Sequence, residues 1–460
     1  MEKRIEIETF RITITGLVQG VGFRPFVLKL AKKQNLTGWV ENRNDGVIIE
    51  VNGSQSVINH FKENILNEAP MASEIQDIDL EKISFQEYID FSIKKSKSVS
   101  DAVTEIGPDI AVCPDCLSDM EKQAHRINYP FINCTNCGPR FSIIEALPYD
   151  RPNTTMKVFD MCEVCRKEYE NILDRRFHAQ PIACSNCGPE LTLYENGINI
   201  KSTEKILNHL SRNLSLGKVY LLKGMGGFHL MCDAFNEEGI AKLRSIKQRD
   251  GKPFALMFSS LEEARSYVLI NDEEQKLLES WQRPIVLLEQ HKDVSDGIAS
   301  GLDKLGIMLP YMPFHHMLFK KIQSPAIVLT SGNFSDEPVL ISNKLAKEQF
   351  ESRVDGIISY NREIINRNDD SVLAVFNNRI QMLRRSRGYA PSPIRTHLNM
   401  EGVFAAGAEL VNSFCIGKGK NAIMSQYIGD LKNFESMAFY EEIFERYTQM
   451  FRFKPELIVH

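Results

Sequence analysis

The stretch GLVQGVGFRPF, Gly16 to Phe26, sets three glycines and one arginine between an alternating apolar run and a run with helical spacing. Glycines let backbone amides converge on one point, and a helix N-terminus behind them favours negative charge. Arg24 adds a planar, permanently charged fork suited to phosphate. The ligand that such a loop holds is a small anion.

Cysteines supply a second chemistry. Eight of the ten fall in CxxC pairs: Cys113/Cys116, Cys134/Cys137, Cys162/Cys165 and Cys184/Cys187, with intervening gaps of 17, 24 and 18 residues. NCTNCGPRFSI (133–143) and ACSNCGPELTL (183–193) repeat one another, so the block reads as two copies of one unit. Each copy has the spacing of a four-thiolate structural zinc site, which gives two structural zinc ions. Sequential pairing is expected, because each repeat contains four ligands; a crossed arrangement, outer pairs on one ion and inner pairs on the other, is the alternative. His125 and His178 read as polar loop residues rather than ligands, and the isolated Cys232 and Cys415 are not counted as ligands, Cys415 reading as core. From 113 to 187 there are nine Lys plus Arg against ten Asp plus Glu, which speaks against a nucleic-acid zinc finger.

Cations and glycines recur downstream in KGMGGFHL (223–230), KQRDGKPFALM (247–257), TSGNFSDEP (330–338) and RRSRGYAP (384–391). Together they offer glycine-flanked amides, hydroxyls and positive charge, the inventory of a nucleotide phosphate site.

The elements that must position these groups follow from length and periodicity. At 460 residues the chain is too long for one ordinary core, and 43% hydrophobic with 25% charged residues is ordinary for globular protein. A net charge of -5 gives no global attraction to nucleic acid or to an anionic membrane. The charged, alternating N-terminus lacks the apolar core of a signal peptide, no run approaches a membrane span, and the cysteine usage fits a reducing compartment, so a cytoplasmic location is expected. RIEIETFRITITG alternates like a strand, 26–35 has helical spacing, 37–53 reads as a hairpin turning at Asn44, Asp45 and Gly46, 54–66 as a second helix and 90–96 as a last strand. This βαββαβ order is ferredoxin-like. From about 200, helices alternate with apolar strands at 219–224, 254–258, 284–289 and 326–333, an α/β pattern.

The loop at 16–24 and the hairpin GWVENRNDG at 38–46 together resemble the acylphosphatase family. That resemblance implies that Arg24 and the amides of Gln19, Gly20, Val21, Gly22 and Phe23 bind phosphate while Asn42 orients the attacking water. An acyl phosphate is already activated, so holding its charge and positioning water suffices. The downstream motifs resemble the YrdC/Sua family, which makes carbamoyl-type adenylates from ATP. By that resemblance Lys247, Arg249 and Lys252 form a basic motif, Ser331 and Asn333 a polar one, and Arg384 and Arg387 the far phosphate edge; Lys223 is counted among the nucleotide-binding cations.

Module order, with GAELVNSFC and SQYIGDL at 407–415 and 425–431, closely resembles the HypF family of carbamoyltransferases that mature NiFe hydrogenases. Val411 and Tyr427 stand where that family's pattern has Lys and His. The fold class expected is multidomain α+β and α/β: a ferredoxin-like acylphosphatase domain at 1–95, a double zinc-finger region of two four-cysteine modules at 106–195, a YrdC-like twisted α/β domain at 200–395, and the start of a further α/β transferase domain at 401–460. The chain stops at PELIVH inside an apparent strand, so a complete transfer domain is not expected within it. The resemblance implies carbamoyl phosphate, ATP with Mg²⁺, and the protein HypE as substrates and partner, with neither nucleic acid nor membrane. Two other readings compete: a tRNA-modifying enzyme that makes a threonylcarbamoyl adenylate, and a zinc-dependent docking or chaperone module for HypE.

Overall fold

The structure is a computed structural model and describes residues 7–43, 46–94, 105–248, 251–295 and 297–460. The hairpin residues Asn44 and Asp45, and Arg249 of the basic motif, lie outside the described residues.

The first unit runs β1 (Glu8–Leu17), α1 (Phe23–Lys33), β2 (Thr37–Arg43), β3 (Gly46–Gly53), α2 (Gln55–Asn67), β4 (Glu74–Ile83) and β5 (Phe91–Ile93), in the sheet order β4-β1-β3-β2-β5. Ile58, Phe61 and Ile65 line one face of α2 at helical spacing and are fully buried, each contributing about 2 kcal/mol. The fourth strand of the ferredoxin-like order is β4 and not the 90–96 segment, of which Phe91–Ile93 adds a short strand parallel to β2. Two features hid β4. Its outward positions are charged, as suits an edge strand, and the register slips where Thr15 faces Asp77 while Gly16 faces Ile75, which breaks the alternation at Gln76.

The cysteine block holds two short helices, Pro114–Lys122 and Glu163–Glu170, with three-residue to four-residue 3₁₀ turns between them. Each helix starts directly after the first cysteine of a pair, Cys113 or Cys162, which places Cys116 and Cys165 in a first turn, where the helix dipole favours a thiolate.

An 11-stranded mixed sheet follows. Its strands are β6 (Leu191–Glu195), β7 (Ile198–Ile200), β8 (Tyr220–Lys223), β9 (Phe228–Asp233), β10 (Ala255–Phe258), β11 (Ile285–Glu289), β12 (Lys304–Met308), β13 (Ala326–Ser331), β14 (Gly356–Tyr360), β15 (Val372–Phe376) and β16 (Arg379–Arg384), ordered β16-β15-β11-β12-β10-β13-β9-β8-β14-β6-β7. β6, directly after the last cysteine pair, is hydrogen-bonded into this sheet through β14. A last five-stranded sheet, β17 (Ile394–Arg395), β18 (Val403–Ala405), β19 (Cys415–Lys418), β20 (Asn421–Met424) and β21 (Leu457–Val459), packs against the helix Phe434–Met450.

The cores do not respect module borders. One apolar cluster joins Phe10 and Val27 of the first unit to Phe131 of the cysteine block and Tyr360 of the large sheet; another joins Phe141 and Tyr149 of the block to Phe414 and Tyr447 of the last unit. The cysteine block is the wedge common to both.

Gly16 has φ +117°, and a Cβ there would lie 2.2 Å from the carbonyl oxygen of Glu74. Gly16→Ala is expected to cost about 3 kcal/mol through strain and clash, read as a lowered denaturation midpoint.

Candidate functional site

Two cavities collect most of the residues assigned above to phosphate and nucleotide binding. The smaller, about 30 Å³, has Gly20, Gly22, Phe23, Arg24 and Asn42 on one side and Arg140, Tyr149 and His178 of the cysteine block on the other. Gly20 and Gly22 adopt φ of +74° and +79°, and the second is the N-cap of α1. Close packing demands glycine as well: a Cβ on Gly22 would meet Asn136 Oδ1 at 2.8 Å, and one on Gly20 would meet Arg140 Cδ at 3.2 Å. Arg140 Nε donates to the Gly20 carbonyl. Val21 is buried in the core, and Gln19 Nε2 donates to the carbonyls of Arg43 (2.5 Å) and Gly46 (3.2 Å), so it braces the loop on the hairpin that carries Asn42.

Arg24 is the second residue of α1, and its Nη2 donates to Asp150 Oδ1 at 2.8 Å. Asn42 is buried on β2, and its Oδ1 has no protein partner among the described residues. His178 sits at φ +54° with its ring stacked on Tyr169, centroids 4.9 Å apart. Burial and then the charge of Arg24 push its imidazole down to about 4, so it is neutral at pH 7. Neither His125 nor His178 joins a thiolate cluster. Sequence reasoning missed Arg140 and His178 as walls of this cavity and Asp150 as the partner of Arg24, since nothing local ties residues 140–178 to a loop near residue 20.

The eight cysteines form two groups, Cys113/Cys116/Cys134/Cys137 and Cys162/Cys165/Cys184/Cys187. Sulfur–sulfur edges are 3.7, 3.8 and 3.6 Å in the first and 3.7, 3.8 and 3.6 Å in the second. A tetrahedron with Zn–S of about 2.3 Å has edges near 3.8 Å, so the donor sets fit structural zinc, grouped sequentially. Four thiolates on one Zn²⁺ leave net negative charge, and arginines face it. Arg175 Nη1 and Nη2 each lie 3.3 Å from Cys116 Sγ, and Arg126 Nη2 lies 3.4 Å from Cys165 Sγ. Cys232 is buried in the core, while Cys415 is half-buried on β19, and burial pushes its thiol up to about 11.

The larger cavity, about 500 Å³, lies between the large sheet and the last unit. Lys247, Lys252, Ser331, Asn333 and Arg384 line it, together with Tyr427 and Asp430. Lys247, at the end of the helix Glu237–Lys247, donates from Nζ to the carbonyls of Ser331 (2.9 Å) and Asn333 (2.8 Å) and to Asn333 Oδ1 (2.6 Å). Ser331 Oγ donates to the same Oδ1 at 2.8 Å. Arg384 pairs with Asp369 at 2.8 Å and lies over the ring of Tyr427, so the residue standing in place of a histidine stacks on a cation of the cavity wall. Val411 takes φ +54°, its amide donating to Asp430 Oδ1.

Two expected nucleotide cations are placed elsewhere. Lys223 is buried, donates to the carbonyls of Tyr360 and Arg362, and is brought down to about 7 by burial and then by Arg362. Arg387 is buried against Asp370, Nε to Oδ1 2.7 Å, with its other nitrogens on the carbonyls of Gln282 and Arg283. Burial alone would raise the Asp370 pKa, but Arg387 and the hydrogen bond with His229 hold it well below the usual carboxylate range. A basic residue near a strand does not reveal in sequence whether it points to a cavity or into the core, and both of these point inward.

A ferredoxin-like unit with a glycine-rich loop, two four-thiolate sites and a mixed α/β unit with a cation-lined cavity define a multidomain protein with two candidate anion sites. Family models match accordingly: acylphosphatase over 10–93, the HypF finger over 112–144 and 161–194, the Sua5/YciO/YrdC model, described as telomere recombination, over 212–386, and the HypF Kae1-like domain over 399–460. The chain belongs to the HypF family. It is similar to the carbamoyltransferase HypF of Rhodobacter capsulatus, 36% identical over 98% of this chain and 60% of that one, and to that of Synechocystis, 39% identical over 98% and 60%. The crystal structure of full-length HypF in the phosphate- and nucleotide-bound form superposes with a TM-score of 0.96 at 44% identity, over 100% of this chain and 60% of that one. The acylphosphatase of Bacillus subtilis is 43% identical over 18% of this chain and 93% of its own length. The chain thus spans about three fifths of the length of the HypF relatives it matches. Among the described residues no helix is long and apolar enough to cross a membrane.

Sequential grouping of the cysteines gives a stoichiometric prediction. Replacing Cys113 and Cys137 together by serine is expected to lower bound zinc from two ions per chain to one by metal analysis; a crossed arrangement would lose both.

Proposed function

We propose that the chain carries the first two steps of a carbamoyl transfer. Carbamoyl phosphate enters the smaller cavity, where Arg24 and the amides of residues 19–23 hold the phosphoryl group and Asn42 Oδ1 accepts a hydrogen bond from water. That water adds to phosphorus, the bond from phosphorus to the carbamoyl oxygen breaks, and carbamate leaves while phosphate remains at Arg24. Such a reaction needs placement and charge stabilisation rather than a nucleophilic side chain.

Carbamate then passes to the larger cavity, where its oxygen attacks the α-phosphate of ATP and pyrophosphate leaves. Lys252 and Arg384 line that cavity and would neutralise the phosphates, and Lys247 holds Ser331 and Asn333 in place. Mg²⁺ would enter with ATP, and the carboxylates of Asp336, Asp369 and Asp430 on the wall are the oxygen donors such an ion takes. Carbamate decomposes in water, so an enclosed route has a purpose.

The observation that carries this reading is the line of buried polar groups between the two cavities. Arg140, on the wall of the smaller, donates its backbone N–H to Asp109 Oδ1 at 2.7 Å; Asp109 is fully buried and within electrostatic reach of Arg387, whose partner Asp370 lines the larger cavity. Along this interior Asp109 Oδ2, Tyr311 Oη, His229 Nδ1 and His315 Nε2 are buried without a protein partner among the described residues. Native interiors rarely leave so many polar atoms together unless water or a polar guest meets them. In the whole protein the carbamoyl group would go on to HypE through the domain that begins at about residue 400.

Arg24→Ala is expected to lower carbamoyl-phosphate hydrolysis by about 10²–10³-fold, as for loss of a main charge-stabilising donor. Pyrophosphate–ATP exchange is expected only when carbamoyl phosphate is present, and exchange without it would overturn the order of steps.

A further inference from the structure

The cysteine block sets a carboxylate against the arginine of the smaller cavity, and its placement is specific. Asp150 Oδ1 accepts from Arg24 Nη2 at 2.8 Å, across 126 residues of sequence. The Arg24 side chain is 8% exposed and that of Asp150 25%, so the pair is largely shielded and differs from the surface ion pairs that contribute little. Arg24 lines the cavity and Asp150 does not, so the carboxylate grips the guanidinium from outside the space where an anion would sit.

Asp150 is itself held in place through its neighbour. The backbone N–H of Arg151 donates to Gln180 Oε1 at 2.8 Å, and its guanidinium donates to the carbonyls of Gln180 (2.8 Å), Ile182 (2.9 Å) and Phe159 (2.6 Å). Ile182 lies two residues before Cys184, so the second thiolate cluster anchors the segment that carries Asp150. The acylphosphatase match ends at residue 93 and contains no counterpart of this block. An arginine with a long, rotamer-rich side chain delivers a phosphate contact best when one edge of its fork is already fixed.

We propose that Asp150 is a positioning residue for the acyl-phosphate site: it aims the guanidinium of Arg24 at the phosphoryl group, which makes the zinc-bearing block a working wall of that site. The inference rests on the reading of the smaller cavity as the carbamoyl-phosphate site. It assigns to the block a task in anion binding beyond holding its own fold. Asp150 takes no part in bond making; its effect reaches substrate only through Arg24.

The test is steady-state hydrolysis of carbamoyl phosphate, with inhibition by inorganic phosphate, by the whole protein carrying Asp150→Ala, Asp150→Asn or Arg24→Ala. Asp150→Ala is expected to raise KM and the phosphate inhibition constant about tenfold each, with kcat changed less and two zinc ions retained. Asp150→Asn, which keeps an acceptor oxygen and the size of the side chain, is expected to recover part of both, to about threefold above the parent. Both constants within twofold of the parent for Asp150→Ala would overturn the inference, and so would tighter phosphate binding, because the carboxylate would then be a competitor of the anion. If Arg24→Ala abolishes hydrolysis while Asp150→Ala does nothing, only this inference fails. If Arg24→Ala also leaves hydrolysis intact, the reading of the cavity fails with it.

Discussion

One buried arginine joins the parts of this molecule. Arg140 is 1% exposed; its guanidinium donates to the carbonyls of Pro139, Cys134, Thr135 and Gly20, and its backbone N–H donates to Asp109. Cys134 and Thr135 belong to a zinc knuckle, Gly20 to the anion loop, and Asp109 to the interior that leads towards the larger cavity. The bond to Gly20 comes from a charged donor and is worth about 1.5–3 kcal/mol, so loop and knuckle do not separate cheaply. The thiolate clusters matter for the same reason. A stretch of short helices and 3₁₀ turns would not hold Arg140, Asp150 and His178 at fixed positions by hydrophobic burial alone, and four-thiolate cross-links supply the missing rigidity.

This joint explains why the anion loop is so rich in glycine. Gly20 and Gly22 have the positive φ that a nest of amides needs, and they also lie where the side chains of Arg140 and Asn136 press close. Local conformation and long-range packing ask for the same residue type. The agreement means that the loop is shaped as much by the block that covers it as by the anion it would bind.

Much of this was legible in the sequence. Glycine spacing with Arg24, the hairpin with Asn42 and the CxxC repeat each carry their signal over short range, and short-range chemistry is what a sequence displays. Strand β4 was not legible, because its bulge at Gln76 and its charged outer face erase the alternation that marks a strand. Lys223 and Arg387 looked like phosphate ligands because cations near glycines usually face solvent or ligand; here they satisfy carbonyls and a carboxylate in the interior. Asp150 and His178 could not be found, since their roles come from the approach of two modules far apart in the chain. His178 does carry one local mark, a non-glycine residue at positive φ, but that becomes visible only in the structure.

In the proposed relay, carbamate made at the smaller cavity reaches the larger one without leaving the protein. The direct measurement is isotopic: carbamoyl phosphate labelled at carbon is turned over with ATP and Mg²⁺ in a large excess of unlabelled bicarbonate and ammonium, and the carbamoyl adenylate formed is analysed for label. Full retention of the label is expected. Dilution of the label to the composition of the bulk pool would contradict it.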